Sequence, residues 1–410
     1  MIAALRGMKD IIDNAHLYQH IIKICEEVAG SFGYKYIETP KLEETALFRR
    51  SVGESSDIVG KEMYQFTDKG GNDVCLRPEG TAGVVRAFIE HKFDRAGGVR
   101  RYFYHGSMFR YERPQKGRLR EFHQFGLECF GEPSVYEDAS VILIGAEILN
   151  RLGIKTTLKI NSLGDNECMP VYRNKLVSFL ESLDGLCDDC KRRIETNPIR
   201  VLDCKNEHCQ TLLKDAPLII DNLNETCQND FEKLQEILTA NGVEFEVDAR
   251  LVRGLDYYCK TAFEFISDEI GSQSAVLGGG RYDRLVEYLG GRATAGVGFA
   301  LGVERLMEIL STKEFEQKRE GIYLCVLSSE LIDEIYNLSI KLRKEFNVEV
   351  SYEARNPAKH LKSADSLNKK IFLCLGDNEY KKGEIWYKNL ENGDDKKIKL
   401  INLKEVLNDR

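Results

Sequence analysis

Two long runs of alternating residues, RRYFYHGSMF (100–109) and EFHQFGLECFG (121–131), restrict this chain more than any other feature. Side chains on a strand switch faces at every residue, so each run presents two unlike faces. In the second run, His123, Phe125, Leu127 and Cys129 make a mostly apolar face that suits a core. Phe122, Gln124, Gly126, Glu128 and Phe130 make the other, with an amide and a carboxylate on either side of a glycine. Tyr102, Tyr104, Gly106, Met108 and Arg110 share a face of the first run, again around a central glycine. Between the runs, RYERPQKGRLR is polar and carries Pro and Gly, which predicts an antiparallel hairpin with a long connecting loop. A mid-strand glycine leaves the backbone bare, so a planar group can lie against it. Two such glycines in a polar and aromatic lining point to a pocket. A half-exposed sheet facing water is the plainer reading of the same pattern.

The connecting loop holds Arg110, Arg113, Lys116, Arg118 and Arg120, interrupted by Glu112 and Glu121. Guanidinium groups pair bidentately with phosphate oxygens, so this density suits a polyphosphate or a nucleic-acid end. A solvated charged loop is the alternative. A formal net charge of -8 argues against a general nucleic-acid coat but leaves room for one local basic surface.

The remaining patterns divide the chain in two. Leu17, Ile21, Ile22, Cys25 and Val28 form one helical stripe, closed by Gly33. YKYIETP reads as a strand ending at Pro40, and TAGVVRAFIEHK as a helix capped by Thr81. Residues about 135–152 and 170–240 read as helices. Strands are expected at 259–267 and 272–277, followed by a glycine-rich turn, GGGRYDRL. AGVGFALGVERLMEIL passes from a strand into a helix with Val303, Leu306, Met307 and Leu310 on one side. Near residues 312–321 the composition turns charged, as in a linker. Beyond it, short apolar strands alternate with helices, which predicts a small α/β domain with a largely parallel sheet. The fold class is therefore α+β, an antiparallel sheet flanked by helices, with an α/β domain at the C-terminal end. No apolar run reaches the roughly 18 residues of a membrane span, and no secretory signal is expected. The twelve cysteines are then expected to be mostly reduced and the chain cytoplasmic.

LVRGLDYY (251–258) crowds Arg253, Asp256, Tyr257 and Tyr258 into six residues at the mouth of a strand. Together with RPEGTAG, MFRYERPQKGRLREFHQFGLE and GVGFALGVERL, it closely resembles the histidyl-tRNA synthetases, class II aminoacyl-tRNA synthetases. LRGMKDI, SVGESSDIVGKEMYQF and HLKSADSLNKKIFLCLGDNEYKKGEI extend the resemblance over essentially the whole chain. It implies a class II catalytic domain over residues 1–312, a helical insertion at about 170–245, and an α/β anticodon-binding domain over 322–410. It also implies a homodimer. The implied reaction joins L-histidine to tRNA(His) through a histidyl-adenylate, with ATP as substrate and Mg2+ carried largely on its phosphates. A non-catalytic, histidine-binding regulatory paralogue of ATP phosphoribosyltransferase is the alternative. That paralogue lacks the C-terminal domain and departs from the arginine motifs.

By the same resemblance, Arg110 and Arg253 are the catalytic arginines, and Arg305 and Arg118 are further phosphate contacts. Phe122 is the adenine platform. Glu79, Gly80, Thr81 and Gln124 face the histidine ammonium, while Glu128, Tyr257, Tyr258 and Tyr282 surround its imidazole. Tyr257 as a packed core residue fits the sequence equally well, and Asp256 reads as a structural partner for the backbone or an arginine rather than as a catalyst. Lys359, His360, Lys362, Lys369 and Lys370 suggest a basic, anticodon-facing patch, and Gln115 and Lys116 an approach to the acceptor end.

LCDDCKRRIETNPIRVLDCKNEHCQ places Cys187 and Cys190 beside Cys204 and Cys209 at spacings that hold tetrahedral zinc. Reduced cysteines in a helical lobe give the same spacing. The resembled fold does not require a metal there, so the sequence favours reduced cysteines over a structural zinc.

Overall fold

A computed structural model of the chain describes residues 2–53, 56, 58–115, 117–202, 204–253, 255, 257–273, 275–313 and 319–408. Lys116 and Asp256 lie outside the described residues. The chain divides into two compact units, Met1–Glu314 and Phe315–Arg410.

The first unit is built on one large sheet. Its strands are β1 (Lys35–Tyr36), β2 (Arg100–Phe109), β3 (Glu121–Phe130), β4 (Thr157–Ser162), β5 (Glu246–Val247), β6 (Cys259–Ile266), β7 (Ala275–Arg281) and β8 (Gly296–Gly302). They lie in the order β1-β2-β3-β8-β7-β6-β4-β5. Every interior pairing is antiparallel, and only the two-residue edge strands pair in parallel. The hairpin expected from the two alternating runs is β2 and β3, in register from Arg100 opposite Phe130 to Phe109 opposite Glu121.

Alternation then decides what each face does. Phe125, Leu127 and Cys129 of β3 join Val297, Phe299 and Leu301 of β8 and Phe263 and Phe265 of β6 in the main core. Four helices close it: α1 (Ala15–Ser31), α2 (Val135–Arg151), α3 (Glu225–Ala240) and α4 (Val303–Ser311). Leu17, Ile21, Ile22, Cys25 and Val28 are all buried in it, as the stripe in α1 predicts. Each such apolar side chain contributes roughly 1.5–3 kcal/mol on burial. Helix α3 lies within the expected insertion, yet Phe231, Leu234 and Leu238 belong to the main core. The lobe with a core of its own is therefore shorter, built around Tyr172, Leu176, Leu180, Val201, Leu202 and Leu213.

Two sequence expectations are corrected here. GGGRYDRL is not a turn, because Gly278, Gly279, Gly280 and Arg281 are strand residues of β7. These glycines answer to packing. A Cβ on Gly279 would stand 2.1 Å from the Gly298 carbonyl oxygen of the neighbouring strand. At the end of β7, fully buried Arg281 pairs with Asp138 of α2 and donates to the Glu132 and Ser134 carbonyls, fixing the strand to the helix. The second correction concerns the cap of the helix Thr81–Glu90. Gly80 is the cap residue, and the Glu79 carboxylate accepts from the Thr81 and Ala82 amides at 2.7 and 2.9 Å. An anionic oxygen satisfies two orphan amides there better than a hydroxyl, and it meets the positive end of the helix.

The second unit carries a five-stranded sheet. Ile322–Val326 is flanked in parallel by Val348–Ser351 and Ile371–Leu375, as the alternating pattern predicts. The last two strands, Glu384–Asn389 and Asp395–Lys399, add on antiparallel, so only half of the sheet is parallel. His360 is fully buried, close to the Tyr323 hydroxyl and the Val326 carbonyl, and is no part of a basic surface. Lys359 and Lys362 are exposed, whereas Lys370 pairs with Glu391 at 3.2 Å. Among the described residues no helix is long and apolar enough to cross a membrane.

Candidate active site

The face of the large sheet turned away from the main core is stripped of side chains along its middle. Register gives one row directly: Tyr104 opposite Gly126, Gly126 opposite Ala300, Ala300 opposite Gly278, and Gly278 opposite Glu264. A second row runs from Gly106 through Gln124 to Gly302. Where β3, β8 and β7 cross these rows, the sheet forms the floor of a pocket of roughly 260 Å³. Glu79, Thr81, Arg110, Arg118, Phe122, Gln124, Arg253, Tyr257, Tyr258 and Arg305 all line it.

Two glycines read as bare floor are in fact covered. A Cβ on Gly126 would stand 2.2 Å from the Tyr104 hydroxyl, and one on Gly80 2.1 Å from the same ring. These glycines make room for Tyr104, which is buried across β3. Gly106 is covered by Arg77, whose buried guanidinium donates to the carbonyls of Ser107 and Thr39 at 3.0 Å each. The glycine that leaves backbone open to the pocket's own side chains lies two strands further on, in β7. A Cβ at Gly278 would stand 2.5 Å from the Arg253 guanidinium, so that cation rests directly on the β7 backbone.

Cations gather at one end. The Arg110 Nε donates to the Pro78 carbonyl at 2.9 Å, with its guanidinium 5.3 Å from the centre of the Phe122 ring. Arg118 pairs with Glu112 at 2.9 Å. Arg305, in the first turn of α4, donates from Nε and Nη1 to the carbonyls of Gly117 and Ala275. Burial, then the nearby guanidiniums of Arg118 and Arg110, hold the Arg305 pKa below its ordinary value. A site in which arginines depress one another favours an anion. Arg253 differs, because Glu264 pairs with it and, against burial, holds its pKa above the usual value.

The opposite end is aromatic and closed. The rings of Tyr257 and Tyr258 lie 4.7 Å apart, and Tyr282 stands 5.6 and 6.3 Å from them. Behind them Glu128 is almost wholly buried. It accepts from Thr81 Oγ1 at 2.6 Å, from the Tyr104 hydroxyl at 3.4 Å and from the Tyr282 hydroxyl. Burial pushes the Glu128 carboxyl up to about 8, opposed by the hydroxyls that donate to it. Glu128, Tyr282 and Gly80 do not line the pocket; they stand behind its wall. Among the described residues, Gln124 Oε1, Arg253 Nε and the Tyr257 hydroxyl are buried without a hydrogen-bond partner. Buried polar atoms are ordinarily paired, so these point to a polar ligand.

Arg113 and Arg120 of the loop are not among the pocket's lining. Arg120 stacks over the Tyr111 ring at 3.8 Å, and its amide donates to the Gly7 carbonyl at 2.7 Å. Two groups that reading residue by residue missed do belong to the site. Glu264 is a single carboxylate inside the apolar run TAFEF, and that isolation was a usable signal. Glu304 accepts both the amide of His123, at 2.8 Å, and its ring Nδ1, at 2.7 Å, tying the start of α4 to β3. These partners are 181 residues apart in sequence, so spacing carried no trace of the pair.

The family described as Histidyl-tRNA synthetase matches residues 8–166 and 180–306, and the Anticodon binding domain matches residues 321–410. A histidine--tRNA ligase of Campylobacter fetus subsp. fetus is 69% identical over 409 residues, covering 99% of this chain and 100% of its own length. That of Campylobacter hominis is 71% identical over 409 residues with the same coverage. Apo histidyl-tRNA synthetase of S. aureus superposes with a TM-score of 0.82 at 33% identity, covering 99% of both chains. The chain belongs to the histidyl-tRNA synthetase family.

Proposed function

We propose that this chain joins L-histidine to tRNA(His) in two steps. In the first, an oxygen of the histidine carboxylate attacks the α-phosphorus of ATP. The bond from that phosphorus to the bridging oxygen breaks, and pyrophosphate leaves. In the second, a hydroxyl of the terminal ribose of the tRNA attacks the acyl carbon of the histidyl-adenylate, and AMP departs. The observation that carries this reading is one pocket with arginines converging at one end and a closed tyrosine wall at the other.

In this reading Arg110 grips the α-phosphate, and Arg305 and Arg118 take the outer phosphates. Adenine stacks on the Phe122 ring. Arg253, oriented by Glu264, neutralises charge as the carboxylate meets the phosphate. Positioning and charge neutralisation, rather than an acid–base pair, then supply the rate. Gln124 Oε1, which has no hydrogen-bond partner among the described residues, is the acceptor best suited to the histidine ammonium. Glu79 holds the helix that carries Thr81. Tyr257 and Tyr258 meet the imidazole, while Glu128 and Tyr282 fix that wall from behind. A site that hydrogen-bonds both ring nitrogens rejects isosteres that leave its polar groups unpaired.

The carboxylates that line the pocket are engaged: Glu112 with Arg118, Glu264 with Arg253, Glu304 with His123 and Glu79 with two amides. Mg2+ is accordingly assigned to the phosphates of ATP rather than to a protein cage. The anticodon-binding domain matched at 321–410 and the retained Arg110, Arg253 and Arg305 speak against the regulatory paralogue. The same reading makes the chain a cytoplasmic homodimer, which sedimentation and cell fractionation check. Incubating the protein with ATP, labelled histidine and total tRNA is expected to put label on tRNA. No charging by protein that still binds histidine would leave the regulatory reading in its place.

A further inference from the structure

The lobe between Cys168 and Cys227 contains a cluster that the reaction does not use. Cys187 caps the helix Asp188–Thr196, Cys190 lies in its first turn, Cys204 follows the short turn Pro198–Val201, and Cys209 sits in the helix Glu207–Leu212. The four Sγ atoms all lie within 4.8 Å of one another, and those of Cys187 and Cys204 are 3.8 Å apart. Four bonds of about 2.3 Å from a tetrahedral zinc put its sulfur ligands about 3.8 Å apart. A disulfide needs about 2.05 Å and joins sulfurs in pairs, whereas these four surround one point.

The backbone around them is arranged for thiolates. The Cys187 amide donates to Cys209 Sγ at 3.3 Å, and the Asn206 amide to Cys204 Sγ at 3.5 Å. Cys190 and Cys209 are fully buried, Cys204 is buried and Cys187 is half-buried, so the sulfurs lie at the edge of the lobe's core. Its surroundings are a small apolar set, the kind of core that a lobe of this size supplements with a staple.

We propose that Cys187, Cys190, Cys204 and Cys209 bind one structural zinc ion. Each thiol gives up its proton to solvent on binding, and the resulting site carries a net charge of about -2. The staple also reaches the pocket. Pro198–Val201 lies between the second and third ligands, and within it Arg200 Nη1 donates to the Arg253 carbonyl at 3.1 Å. Arg193 Nη1 holds the Arg200 carbonyl at 3.2 Å. The zinc therefore fixes the segment on which the Arg253 backbone leans.

Elemental analysis of the full-length protein tests this directly. One zinc per chain is expected, released as the four thiols react with a mercurial and detected by a chromogenic chelator. Cys190→Ser and Cys204→Ser are expected to lose the metal. Cys227→Ser, buried in the same lobe but outside the cluster, is expected to keep it. Should the first two variants fail to fold, protein prepared with cobalt gives the readout on the native sequence, through thiolate-to-cobalt charge-transfer absorption. Less than half an equivalent of zinc in folded protein, iron in its place, or zinc retained by Cys204→Ser overturns the proposal.

Discussion

The two ends of the pocket are built on opposite principles. At the arginine end, guanidiniums are held mostly by backbone carbonyls and by one largely buried carboxylate, and they repel one another. At the tyrosine end, hydroxyls and buried carboxylates satisfy one another in a closed network around Glu128. The first end is left short of negative charge, and a phosphate supplies it. The second is complete in itself except for a few buried polar atoms that face the cavity. The difference teaches that function and stability are separable here. Changes at the cationic end should cost activity and leave the fold alone, whereas changes at the aromatic end should cost the fold first.

Arg253→Ala is the strongest way to break that separation, because Arg253 lies between the ends and pairs with Glu264. Loss of one preorganised donor at developing charge lowers turnover by about 10²–10³-fold. Pyrophosphate exchange is expected to fall by that factor while histidine binding, followed by calorimetry, survives. If the variant unfolds instead, the two ends are one structural unit.

Glu128→Ala probes the opposite end. It leaves the hydroxyls of Thr81 and Tyr282 buried without their acceptor, at a cost of about 3 kcal/mol. Denaturant unfolding should show that loss even without ligands, and a variant as stable as the wild type would contradict the network. A smaller effect follows from its titration. Burial raises the Glu128 pKa from 4.5 to about 8 in the folded protein, so the folded state holds a proton that the unfolded state has lost. The stability this contributes is whole below pH 4.5 and disappears as pH rises through about 8. Glu128→Gln cannot titrate. Wild type should therefore lose stability relative to Glu128→Gln as pH climbs through that window, and parallel profiles would refute the assignment.

The same contrast explains what could be read from sequence. Arg110, Phe122 and Gln124 were legible because strand alternation assigns a face to each residue, and the hairpin is local. Arg253 and Arg305 were legible through the motifs that carry them. The illegible parts depended on neighbours remote in the chain. Gly278, Gly279 and Gly280 resemble a turn until β8 and Arg253 press against them. Gly126 resembles a bare floor until Tyr104 covers it. His360 resembles part of a basic patch until its ring is found within the second unit's core. The four cysteines were visible as a spacing, but only the fold brings all four sulfurs around one point.

The most direct test of the central claim is ATP–pyrophosphate exchange measured separately with each of the twenty amino acids. A strong signal with histidine alone is expected, since the arginine end activates whatever carboxylate the tyrosine end admits. No exchange with any amino acid, from folded protein that still binds histidine, would contradict the account, as would comparable exchange with several.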